Sequence, residues 1–97
     1  MFIIKDGRLY KCDQNGNTGS QLQSNVVFAD YDTVTERYLV TKTDGKVWLC
    51  DKNGNTFGSY WKDCSEARFN GTDVRIVYKT GKTVITDKNG NIKRILS

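Results

Sequence analysis

Histidine is absent from this chain of 97 residues. That absence removes the commonest zinc ligand, the usual general base and the one side chain that ordinarily titrates near neutral pH. Proline is absent too, which leaves every backbone donor free to join a ladder. Cysteine is limited to Cys12, Cys50 and Cys64 with no CxxC pair. An odd count cannot pair off into a disulfide framework, and a reducing compartment is the simpler reading. No apolar run approaches the roughly 18 residues of a membrane helix, and the opening MFIIKDGRLY has neither the charged head nor the apolar stretch of a signal peptide. The expected location is cytoplasmic, without a membrane partner. Neither GxGxxG nor GxxxxGK[ST] occurs, so no cofactor is expected.

The remaining composition is that of a folded domain. Hydrophobic residues make up 37% and charged residues 27%, on the polar side of globular but outside the disordered class. A chain of this length buries one modest core, so residues 1–97 are read as a single domain. Its net charge of +4 is uneven. Residues 1–73 hold nine Lys/Arg against ten Asp/Glu, whereas residues 74–97 hold six against one, a local excess of +5. Such asymmetry can mark an anionic partner. The six cations, Arg75, Lys79, Lys82, Lys88, Lys93 and Arg94, are dispersed along the sequence, and a solvated face is the expectation.

An internal repeat organises the chain. DGRLYKCDQNGNT from Asp6 returns as DGKVWLCDKNGNT from Asp44 and as TGKTVITDKNGNI from Thr80, with ADYD at Ala29 matched by ARFN at Ala67. The units are 1–25 (partial), 26–63 and 64–97. Each reads as short runs rich in β-branched and aromatic residues, bounded by DG, TG or NGN. The second unit gives VVFADYD, RYLVTKT, GKVWLCD and FGSYWK; the third gives EARFN, VRIVYKT, GKTVITD and NIKRIL; the first opens at FIIK, RLYKCD and SQLQ, lacking the initial strand. No helical periodicity is sustained, and nine glycines punctuate the sequence. The predicted fold is all-β, about eleven strands in repeated four-stranded antiparallel meanders.

Period-two alternation places Tyr10 with Cys12, Trp48 with Cys50, and Val84 with Thr86 on one face, assigned to the core. Leu9 with Lys11, Val47 with Leu49, and Thr83 with Ile85 take the other, and the middle unit is expected to be the most buried.

The words TDGKVWLCDKNGN resemble a WD-repeat β-propeller blade, in which a DG turn leads into a strand ending in Asp. Asp13, Asp51 and Asp87 hold that position. The tryptophan preceding it in that family is replaced by Cys12, Cys50 and Thr86, and the Gly-His dipeptide is missing. The resemblance implies a blade-like architecture and a role as a binding platform. Propellers close with about four to eight blades, so two and three-quarter units imply self-association, with a homodimer giving a ring of six. The alternative is a monomeric β-sandwich or rolled meander.

The segments DQNGN and DKNGN set oxygen ligands at first, third and fifth positions, but Gly falls at four and Ser24 or Lys62 at twelve, unlike an EF-hand loop. They are read as type I′ turns, with no metal. Cys12 and Cys50 are assigned to packing, and Cys64 to a boundary where Asp63 and Glu66 would raise its pKa. Asp30, Asp32 and Glu36, or Asp63 and Glu66, lack any spacing that fixes a glycosidase pair, and cationic partners are expected opposite Asp30 and Asp32. No catalytic residue is assigned, and the chain is not expected to be an enzyme. Tyr60 and Trp61 are adjacent in a strand, so one of them faces solvent. With Lys62, Arg75, Lys93 and Arg94 they form the candidate binding set.

By elimination the leading function is a non-catalytic protein-interaction module, such as an inhibitor, immunity or accessory protein. The alternatives are a small repeat lectin with a sugar site near each NGN turn, and nucleic-acid binding through the basic last unit.

Overall fold

The computed structural model describes residues 2–97. Its eleven strands fall into three antiparallel meanders. The first sheet holds β1 (Phe2–Lys5), β2 (Arg8–Cys12) and β3 (Thr18–Gln23). The second holds β4 (Val26–Asp32), β5 (Arg37–Lys42), β6 (Val47–Asp51) and β7 (Thr56–Trp61). The third holds β8 (Cys64–Asn70), β9 (Asp73–Tyr78), β10 (Thr83–Thr86) and β11 (Ile92–Ile95). Strand count, order and unit boundaries follow the repeat. Strands are consecutive within each sheet, so every connection inside a sheet is a hairpin.

The sheets stack face to face, and this corrects the assignment of one core face per unit. One cluster joins Leu9 of the first sheet to Val26, Ala29, Tyr38, Val40 and Cys50 of the second, with Trp48 packed against it. A second joins Leu39, Val47, Leu49 and Trp61 to Cys64, Ala67, Val74, Ile76 and Val84 of the third. The second sheet therefore buries both faces. Leu9 is fully buried while Tyr10 and Cys12, on the outer face of the first sheet, are only half-buried. Alternation reads which side chains share a face, but how many faces are covered is set by the stacking.

Each sheet is stitched to the next by equivalent backbone bonds. The Val26 N–H donates to the Gly7 carbonyl (2.7 Å) and the Cys64 N–H to the Gly45 carbonyl (2.9 Å). The Thr43 N–H donates to Asn25 (2.9 Å) and the Lys79 N–H to Asp63 (2.8 Å). Asn25 and Asp63, the residues that enter β4 and β8, both adopt positive φ (55° and 57°), a conformation more accessible to Asn and Asp than to most residues.

The DxNGN turns are not of type I′. Gly16, Gly54 and Gly90 alone take positive φ, while the preceding asparagines do not. In each, the glycine N–H donates back to the aspartate carbonyl and the aspartate N–H to the second asparagine. That is a three-residue loop with a left-handed glycine. The aspartate carboxylate selects it: Asp51 Oδ1 accepts the N–H of Asn53 (2.8 Å) and of Asn55 (2.9 Å), and Oδ2 accepts Asn55 Nδ2 (3.1 Å), with the same partners repeated at Asp13 and Asp87.

Candidate functional site

Alternation along β7 sends Tyr60 outward, 47% exposed, and Trp61 inward, 5% exposed. The Trp61 indole Nε1 donates to Thr86 Oγ1 of the third sheet at 2.9 Å, and that hydroxyl donates to the Asp87 carbonyl at 2.8 Å. Trp61 is thus a side chain between sheets, and of the adjacent pair it is Tyr60 that faces solvent. Tyr60 is held from three sides. Its ring meets Trp61 edge-on (centroids 5.7 Å, 89°). The ring also lies over Gly58, where a Cβ would stand 3.0 Å from its Cζ and Oη. Gly90 abuts its backbone so closely that a Cβ there would fall 2.6 Å from the Tyr60 carbonyl. Beside this ring opens a cleft of about 400 Å³ lined by Lys46, Trp48, Ser59, Tyr60, Trp61 and Lys62.

The basic residues of the last unit, dispersed in sequence, are brought together by strand pairing. Arg68 pairs with Arg75, Arg75 with Ile85, and Ile85 with Arg94. Directly opposed residues share a face, so three arginines lie in one cross-strand row on the outer face of the third sheet. Ile85 between them is 4% exposed, and the arginine stems are placed to cover it while their heads reach water. Lys93 is drawn aside by Asp73 (3.0 Å), and Arg68 is bonded to Glu66 (2.7 Å) with its guanidinium 4.8 Å from the Phe28 ring centroid. Sequence reasoning missed Arg68. The two-residue turn Gly71–Thr72 carried the signal, because a hairpin centred there sets position 68 against 75.

Comparison with known proteins gives no match, either to a protein-family model or to a curated protein.

The reactive side chains are otherwise engaged. Burial pushes the Cys50 thiol up to about 11, and burial together with neighbouring Asp63 does the same to Cys64. Cys64, at the boundary between units, is 1% exposed. Arg37 lies directly opposite Asp32 in the β4–β5 ladder, the kind of cationic neighbour expected there, whereas Asp30 lies opposite Leu39. Asp30 Oδ2 accepts the Phe69 N–H (2.8 Å), and Asp32 accepts the Thr35 hydroxyl (2.7 Å) and the Val34 N–H (3.1 Å). Among the described residues no group of three or more Cys, Asp or Glu gathers as a metal site would require, and the carboxylates of the DxNGN turns are spent on their own loops.

Proposed function

We propose that this protein is a non-catalytic interaction module that binds another protein through the Tyr60 cleft. The observation that supports this is the fixed, half-exposed Tyr60 ring, held on Trp61, Gly58 and Gly90 and flanked by Lys46 and Lys62. A preorganised aromatic loses little conformational freedom on binding, which is why such side chains dominate interface energetics. Its equivalents in the other units are Leu22 and Leu96, so the site occurs once, in contrast to the equivalent sites of a repeat lectin. Inhibitor, immunity or accessory action fits a single docking site of this size. The test is affinity capture by the wild-type chain and by Tyr60→Ala, both confirmed folded by circular dichroism. A partner held by the first and lost at least tenfold by the second supports the reading; equal capture overturns it.

A second reading is favoured by the arginine row, since the guanidiniums of Arg75 and Arg94 on one face suit a phosphate backbone. Oligonucleotide binding that falls steeply with salt, and weakens in Arg75→Ala with Arg94→Ala, would support it. We also propose that two copies associate to complete a ring of six sheets, the first sheet of one against the third sheet of the other.

A further inference from the structure

The three sheets differ at one place. In the second and third, the strands β5 and β9 are paired on both edges, with β4 and β8 as the edge strands beside them. Their counterpart β1 is paired with β2 alone among the described residues. The hairpin β1–β2 turns on two residues, Asp6 and Gly7, both at positive φ (53° and 75°), so Lys5 and Arg8 close it as a hydrogen-bonded pair. By alternation the N–H and C=O of Ile4 point away from β2, and those of Phe2 do the same. The counterparts of Ile4 are Thr41 and Val77, which pair with Phe28 of β4 and Glu66 of β8. An edge of this kind is a template for a further strand.

We propose that this edge of β1 takes up an extended, acidic segment of a partner polypeptide, which completes the first sheet as β4 completes the second. In a second copy every described strand already has at least one neighbour in its own sheet, so the occupant proposed is a separate extended segment, and self-association through this edge would count against it. The chemistry of the occupant is read from the neighbouring junction. Where β4 lies beside β8, Asp30 Oδ2 accepts the backbone N–H of Phe69 at 2.8 Å. Tyr31 is the second-sheet equivalent of Phe69 and has no side-chain acceptor on its N–H among the described residues. The strand in the open position is therefore the one that would bring a carboxylate to Tyr31, five residues into a segment patterned like VVFADYD. Backbone bonds to Ile4 would supply affinity, and the carboxylate at the Asp30 position selectivity.

This site is separate from the Tyr60 cleft, and its failure would leave that reading untouched. The test is nuclear magnetic resonance on the full, isotope-labelled chain, titrated with a peptide of residues 26–32, VVFADYD. The same peptide carrying Asp30→Lys, and a peptide of residues 64–70, which has Arg68 at that position, serve as comparisons. The expected result is half-saturation below about 1 mM, with exchange of the Phe2 and Ile4 amides slowed by about tenfold and the Tyr31 amide shifted. Both comparison peptides should bind at least about fivefold more weakly, as expected for loss of a charge-assisted bond. Ile4→Pro, which removes an outward donor without touching the β1–β2 ladder, should abolish binding. No saturable shift, or binding that leaves the Phe2 and Ile4 amides unprotected, overturns the proposal. Equal binding of the Asp30→Lys peptide overturns the acidic preference.

Discussion

Gly16, Gly54 and Gly90 occupy the same place in their turns, with φ of 81°, 88° and 86°. Their surroundings are unequal. A Cβ at Gly54 would fall 2.7 Å from the Leu22 carbonyl and one at Gly90 2.6 Å from that of Tyr60, whereas one at Gly16 would meet nothing within 4 Å among the described residues. Gly16→Ala should therefore cost only the left-handed backbone penalty, about 1 kcal/mol. Gly54→Ala and Gly90→Ala must also shift a neighbouring sheet, and about 3 kcal/mol each is expected. Urea unfolding of the three variants measures the difference, and equal losses would show that the close approach is without consequence. The aspartates of these turns set the acid limit. Backbone donation from Asn17 and Asn91 holds Asp13 and Asp87 below the ordinary carboxylate value near 3.8. At Asp51 partial desolvation works the other way and is outweighed by the bonds from Asn55 and Asn53. Groups with lowered folded values contribute stability that is fully present above the unfolded value and lost as pH falls through the folded one. Urea midpoints should thus be level above about pH 5 and decline below about pH 4.

At the scale of the strand, Thr41 stands out. It lies fully buried on the face of β5 that meets the third sheet, and its Oγ1 has no hydrogen-bond partner among the described residues. The equivalent positions hold Ile4 and Val77. Thr41→Val removes an unsatisfied hydroxyl at nearly constant shape and should raise stability by about 1 kcal/mol, read as a higher urea midpoint. A lower midpoint would mean that the hydroxyl is satisfied in solution. The strands themselves were legible in the sequence, because β-branched runs and glycine turns recur at a fixed spacing, and the eleven predicted runs match the eleven observed. Face assignment was legible only by half. Tyr10 and Leu9 alternate correctly, yet their burial depends on a neighbouring sheet lying on one side only, which no local pattern records. The Tyr60–Trp61 pair was readable as one residue in and one out; that Trp61 turns inward follows from the position of Thr86, 25 residues later. The arginine row was hidden because register, not sequence adjacency, assembles it.

For the whole molecule, the proposed six-sheet ring sets two dissimilar faces against each other. The outer face of the first sheet carries Ile3, 42% exposed, with Tyr10 and Cys12, whereas that of the third carries Arg68, Arg75 and Arg94. At the places of Leu39, Val47, Leu49 and Trp61, which bury the second sheet against the third, the third has Arg75, Thr83, Ile85 and Ser97. Association through such a face is opposed by arginine desolvation and mutual repulsion, and salt weakens the repulsion. Light scattering should show a dimer mass that grows with protein concentration and with ionic strength between about 50 mM and about 500 mM. A monomer mass under both conditions would remove the ring and leave an open stack of three sheets.

The stitching of each sheet to the one before it has a further consequence for how the chain could lengthen. The bonds from Val26 to Gly7 and from Cys64 to Gly45 are the same joint made twice, and the second sheet offers both halves of it. A chain with residues 26–63 duplicated in tandem would present Val26 of the inserted copy to Gly45 of the original, and bury Leu39, Val47, Leu49 and Trp61 against Ala29, Tyr38 and Val40. The result would be a column of four sheets with the same two ends, gaining stability roughly in proportion to the added joint, as in a one-dimensional array whose members touch only their neighbours.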